Sequence, residues 1–259
     1  TTTPMSQQSQ QTQLSHEPQQ QQPQVTEDPV PEQKKKWTPL ECAPEVLQDC
    51  VAKYGVHDTT ISEVFGAELF DMVPQPIEAL IVLFPVAPDI KDFINTTFPV
   101  DNSIPKSSLF HMNQRIGNAC GTFALFHTFL NLRQVGDVEE DSVMDKLLVK
   151  MCELPEGTTS LDCAKLFENQ PGVEEIHQGM GEIGQTDAAD YEFTEVHYIT
   201  FICKFGTMWL LDGEKKGPLN LGPCTQDELL TKAFGVAAKM HAIWGKETDF
   251  AVLAASKLD

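Results

Sequence analysis

The chain has 259 residues, 41% of them apolar, with 38 acidic side chains against 18 Lys and Arg and a formal charge of −20. That balance argues against binding nucleic acid through its phosphates. No apolar run reaches the ~18 residues of a membrane span, and no signal-peptide core stands near the start.

Residues 1–36 contain eleven Gln and several Pro, but only Met5, Leu14, Val25 and Val30 as aliphatic or Met residues. Such a segment cannot bury enough surface to offset its chain entropy, so a disordered tail is expected. This tail carries little of the net charge. The acidity therefore belongs to residues 37–259, which are long enough for one large domain and suit a basic partner. Lys34, Lys35 and Lys36 read as a solvated linker end.

Pro44 to Tyr54 predicts a helix, with Pro at its first position and Gly55 ending it. Ile77 to Phe84 is a continuous apolar run between prolines and predicts a central strand. Residues 86–112, rich in Pro, Asn and Ser, read as irregular. From Ala119 to Leu132 the chain is mostly apolar with Phe123, Phe126 and Leu130 at helical spacing, and Asn118 is placed to cap this helix. Two more helices are expected at about 141–153 and 158–169. Residues 171–194, with four glycines and no clear period, read as a long loop over the site.

Val196 to Cys203 is β-branched and aromatic enough to be a strand. Lys204-Phe205-Gly206 reads as a three-residue turn, and Thr207 to Leu211 as the return strand. If Cys203 faces Thr207, Gly213 lies opposite His197, and a one-residue bulge brings His197 and Asp212 face to face. Thr225 to Glu228 forms a capping box opening a helix to about Trp244. Phe250 to Ala255 closes as a strand.

Cys120 falls in the first turn of its helix, where unpaired amides and the helix dipole favour a thiolate. Alone it reads as a small buried residue. The His197–Asp212 hairpin changes that reading, because an oriented imidazole beside a thiol is the equipment of nucleophilic catalysis. Gln114, six residues before Cys120, supplies an amide that can stabilise a carbonyl oxyanion together with the Cys120 N–H. His111, His127, His177 and His241 read as core or surface histidines, with no metal site and no cofactor expected. The seven cysteines (42, 50, 120, 152, 163, 203 and 224) form no CxxC pair and read as free thiols in a reducing compartment, cytoplasmic or nuclear.

The run Gln114 to Thr122 (Gln-x-x-x-Asn-x-Cys-Gly-Thr), followed by His197 and then Asp212-Gly213, resembles the ubiquitin C-terminal hydrolases, which are papain-like thiol proteases. Trp37 to Glu41, Val73 to Pro85, Gly184 to Thr186 and Asp249 to Leu253 resemble further segments of that family. The resemblance implies an α+β papain-like fold with a central, largely antiparallel sheet flanked by helices, and a knotted backbone. It implies Cys120 as nucleophile, His197 as general base and acid, Asp212 as orienting partner and Gln114 as oxyanion donor. The implied substrate contacts include Pro39, Leu40, Glu41, Gly184, Gln185, Thr186, Asp187 and Phe250. The implied activity is cleavage of small adducts or peptides from the C-terminal glycine of ubiquitin by a short, monomeric form without a C-terminal extension. A hydrolase for a ubiquitin-like modifier, a non-catalytic ubiquitin-binding protein and a transglutaminase-like enzyme are the alternatives.

Overall fold

The computed structural model of this chain describes residues 1–2, 35–183, 195–246 and 248–258. The expected disorder of the tail falls almost wholly outside these residues, and the crossover contacts Gly184, Gln185, Thr186 and Asp187 lie outside them entirely.

Eight strands are described: β1 Lys35–Lys36, β2 Thr59–Glu63, β3 Ile77–Pro85, β4 Ile116–Gly117, β5 Val196–Lys204, β6 Thr207–Leu211, β7 Leu219–Pro223 and β8 Ala251–Lys257. The helices are α1 Pro44–Lys53, α2 Pro88–Thr97, α3 Cys120–Leu132, α4 Val143–Cys152, α5 Ser160–Glu168, α6 Val173–Gly181 and α7 Leu229–Trp244. Six strands form one antiparallel sheet in the order β2-β8-β3-β5-β6-β7. The expected α+β architecture, with helices on both faces of a central antiparallel sheet, is present.

The strands at the middle of this sheet are apolar on both sides because both sides are covered. Ala79 and Ile81 of β3 pack with α1 and α3 to α6, while Leu80, Val82 and Phe84 pack with α2 and α7. Alternation along each strand thus feeds two separate cores.

The helix α3 runs through the larger core with every residue from Cys120 to Asn131 buried. Its polar members stay buried because each finds a partner. Thr128 Oγ1 donates to the Ala124 carbonyl (2.9 Å) and lies 2.9 Å from Thr200 Oγ1. Asn131 Oδ1 accepts from the Phe110 N–H (2.8 Å), and its Nδ2 donates to the Phe110 carbonyl (2.9 Å). His127 Nε2 accepts from the Met112 N–H at 3.1 Å. These bonds lash the segment before Gln114 to the helix that carries Cys120.

Arg133 anchors the other end of α3. Its buried guanidinium donates to Asp58 Oδ1 (3.0 Å), to both oxygens of Glu78 (3.0 and 2.7 Å) and to Thr59 Oγ1 (2.8 Å). It therefore joins helix, edge strand and central strand. Arg133→Met strands Glu78 in a mostly buried position, and removing one partner of such a cluster costs about 3 kcal/mol. We expect the midpoint of chemical denaturation to fall accordingly. A loss below about 1 kcal/mol would mean that the cluster is only a solvated surface pair.

Four local expectations are corrected. Residues 86–112 are not wholly irregular: they contain α2, with Pro88 in its first turn and Ile90 and Ile94 buried. Residues 171–194 are not one continuous loop, since Val173–Gly181 is a helix with Val173, His177 and Met180 buried. Asn118 does not cap α3. It adopts a left-handed conformation (φ 61°) that turns the chain into the helix, and Ala119 precedes the first helical residue without any side-chain cap. Asn tolerates that region because its short polar side chain adds little steric cost. The hairpin turn has two residues rather than three. Phe205 and Gly206 both have positive φ, and Lys204 pairs with Thr207.

Candidate active site

Cys120 is the first residue of α3, His197 the second of β5, and Asp212 follows β6 directly. The hairpin register pairs Thr200 with Leu211. Asp212 therefore continues opposite Ile199, not His197, and the expected face-to-face pair is a diagonal one. Diagonal neighbours on adjacent strands are within reach of long side chains. His197 Nε2 lies 2.7 Å from Asp212 Oδ1.

That bond settles the imidazole's tautomer. A carboxylate only accepts, so Nε2 carries a proton, and Nδ1 is the ring nitrogen left for Cys120, which also favours the charged imidazole. Burial alone would push His197 down. The charge and hydrogen bond of Asp212, joined by Cys120, outweigh it and hold the imidazole well above its ordinary value. Burial likewise opposes ionisation of Asp212, but His197, Lys215 and the Glu214 N–H keep its carboxyl well below the usual range. The Glu214 N–H donates to the same Oδ1 at 2.8 Å.

All four expected residues are buried: Cys120 is 6% exposed, Gln114 5%, His197 4% and Asp212 2%. Gln114 donates from Nε2 to the Ile116 carbonyl at 3.0 Å, and its Oε1 is buried without a hydrogen-bond partner among the described residues. Its main-chain N–H donates to the Gly213 carbonyl at 2.8 Å, which holds it beside the Asp212 turn. Because no side chain caps α3, its first-turn amides are not claimed by a cap. The arrangement provides a thiol, a base held in one tautomer, and N–H donors at a helix start. Those are the requirements for acyl transfer through a tetrahedral oxyanion.

The expected contact residues separate. Pro39 and Glu41 are half-buried, and Leu40 is buried. It lies where a Cβ on Gly121 would meet it at 3.4 Å, and its carbonyl accepts from Tyr198 at 3.3 Å. It packs the start of α3. Phe250 is half-buried with its ring 5.1 Å from that of His241.

His111, His127 and His177 are all core histidines. His177 is a core residue, hydrogen-bonded to Thr122 Oγ1 (2.7 Å) and the Thr38 carbonyl (2.6 Å), and burial pushes it down to about 4. His127, also pushed by burial to about 4, is a core acceptor. His111, however, contacts Asp212, which nothing local in the sequence signals: the two are 101 positions apart. Elsewhere, burial pushes the Cys50 and Cys163 thiols up to about 12 and keeps them protonated. Among the described residues no group of three or more His, Cys, Asp or Glu is arranged to hold a metal ion.

Comparison with known proteins places this geometry. The family described as ubiquitin carboxyl-terminal hydrolase, family 1, matches residues 37–241. A ubiquitin carboxyl-terminal hydrolase of Drosophila melanogaster is 32% identical over 225 residues, covering 84% of this chain and 96% of that one. Isozyme L1 of Rattus norvegicus is 30% identical over 224 residues, covering 85% and 97%. The catalytic domain of Trichinella spiralis UCH37, solved bound to ubiquitin vinyl methyl ester, shares the fold with a TM-score of 0.64 at 20% identity, covering 88% of this chain and 98% of that one. With the imidazole bonded to the carboxylate, the thiol at the start of α3 and the match running through all three, this chain belongs to the ubiquitin carboxyl-terminal hydrolase family.

Proposed function

We propose that the chain is a cysteine-type deubiquitinating hydrolase, cleaving small adducts or peptides from the C-terminal glycine of ubiquitin. The observation that carries this reading is the buried His197–Asp212 pair (2.7 Å), with Cys120 at the start of α3 acting on the same imidazole. In this reading the Cys120 thiolate attacks the glycine carbonyl. The Cys120 N–H and the free amide hydrogen of Gln114 receive the oxyanion. His197 passes its Nδ1 proton to the departing amine, and a thioester remains on Cys120. Water then attacks the thioester, His197 takes its proton, and the carboxylate of ubiquitin leaves. Asp212 holds the ring in place and favours its charged form throughout.

Ubiquitin as the substrate is supported by the relatives' names and by the ubiquitin adduct of the Trichinella structure. The acidic chain also suits a basic partner. The reading is tested by release of a fluorophore from the C-terminus of ubiquitin, with a ubiquitin-like modifier in parallel. Turnover of ubiquitin at least tenfold faster is expected. Faster turnover of the other modifier would reassign the substrate, and tight ubiquitin binding without turnover would leave only a binding protein.

A further inference from the structure

We propose that His111 is a positioning residue for this reaction, clamping the main chain of Asp212 and so fixing the carboxylate loop against the segment that carries Gln114. The inference rests on the roles proposed above for Cys120, His197 and Asp212.

His111 is fully buried, and both of its ring nitrogens are used. Nε2 lies 2.9 Å from the Asp212 carbonyl oxygen, and Nδ1 lies 2.8 Å from Ser160 Oγ. A carbonyl only accepts, so Nε2 carries the proton and Nδ1 accepts from the Ser160 hydroxyl. The ring stacks on His127 at 5.0 Å with 14° between planes. Burial and the neighbouring His127 hold His111 well below its ordinary value, so it stays neutral. A neutral donor fixes the carbonyl without adding a charge that competes with His197 for the Asp212 carboxylate.

The clamp extends along two parallel stretches of chain. Asn113 Nδ2 donates to the Lys215 carbonyl (2.7 Å), and the Gln114 N–H donates to the Gly213 carbonyl (2.8 Å). The Asn113 N–H donates to the Ser160 carbonyl (3.1 Å), so Ser160 holds both His111 and Asn113. The approach is close enough that a Cβ on Gly213 would sit 2.7 Å from that of Gln114. Residues 111–114 and 212–215 therefore move as one body. That body carries both the oxyanion amide and the carboxylate that orients His197. Reacting groups displaced by about 1 Å lose on the order of 100-fold in rate.

The test compares His111→Phe, which keeps the ring and loses the donor, with His111→Gln, whose amide N–H reaches toward the same carbonyl. With the ubiquitin fluorophore substrate, His111→Phe should lower kcat by about 10- to 100-fold with KM unchanged within twofold, and His111→Gln should recover most of the loss. A folded His111→Phe with kcat within twofold of the parent overturns the proposal, as does an equal loss in the Gln variant. If the Phe variant does not fold, Ser160→Ala decides. A several-fold fall in kcat at constant KM supports the clamp, and unchanged kcat overturns it. Alkylation of Cys120 by iodoacetamide, followed by mass spectrometry of its peptide, reads the same alignment without substrate. A parent chain that alkylates rapidly at Cys120 but does not turn over ubiquitin would refute the proposed function and leave the clamp to be judged on alkylation alone.

Discussion

Cys120→Ala should lower turnover of the ubiquitin fluorophore substrate by on the order of 10⁵-fold or more while leaving ubiquitin affinity nearly intact. The size follows from what the sulfur does. It is the atom that forms the acyl intermediate, and deleting a nucleophile costs about as much as deleting the whole machinery it serves. The fold should tolerate the change. Ala is the best helix former, α3 has no side-chain cap to lose at this end, and the sulfur contributes little buried area in a helix enclosed along its length. Burst-free kinetics of the variant, alongside calorimetric titration with ubiquitin, separate the two quantities. Residual turnover above about 1% in a folded variant would place the nucleophile at another thiol. Cys42 is the first to examine, since it lies near enough to Cys120 to be influenced by it, although burial pushes its thiol up to about 11.

Asp212→Asn is expected to cost about 10²-fold at neutral pH and to move the alkaline limb of the rate profile to lower pH. Loss of the equivalent carboxylate charge in a serine triad costs ~10⁴, partly because the wrong tautomer results. Here that part is protected. The Glu214 N–H donates to Oδ1, so the oxygen of the new amide stays at that position and still accepts from His197 Nε2. Only the negative charge disappears. The sign follows from the causes acting on His197. Burial pushes the imidazole down, and Asp212 is the chief influence holding it up. Without that charge burial dominates, and the ring is neutral at a pH where the parent's is charged. Because the imidazolium both stabilises the thiolate and protonates the leaving amine, activity is present below the folded-state value of His197 and fades above it. Rate against pH for the parent and the variant reads this directly. An alkaline limb that does not move would mean that another group sets it.

Much of this architecture was readable where the cause is local. β3 is apolar between prolines, α3 repeats phenylalanines at helical spacing, and α7 opens at the Thr225 to Glu228 capping box. The site residues were readable because a cysteine before a helical run and a His–Asp hairpin are short-range patterns. The errors arose where local chemistry is ambiguous. Phe205 adopts a left-handed conformation that bulky residues rarely take, so the turn looked one residue longer and the register shifted with it. Asn118 suits either a cap or a left-handed turn, and only the packed neighbours of α3 decide between them. The Pro88 that looked like a loop residue stands in the first turn of α2. His111 was silent because its meaning lies in one hydrogen bond to a residue in a distant part of the chain.

The order of the sheet has a consequence for how the protein is made. The strand nearest the C-terminal end, β8, does not sit at an edge: it lies between β2 and β3 and pairs with both. While the chain emerges from a ribosome, β2 and β3 have no direct partner in each other. Of the two, β3 finds β5 on its other side, whereas β2 gains its partner only when β8 has been made. The Cys120 helix and the His197 hairpin both rest on β3. A chain that stops short of residue 251 thus keeps the β3-β5-β6-β7 pairing that carries the reactive side chains, but leaves β2 unpaired and one edge of β3 open to aggregation. The six-stranded sheet is complete only once β8 has slotted between two strands made long before it.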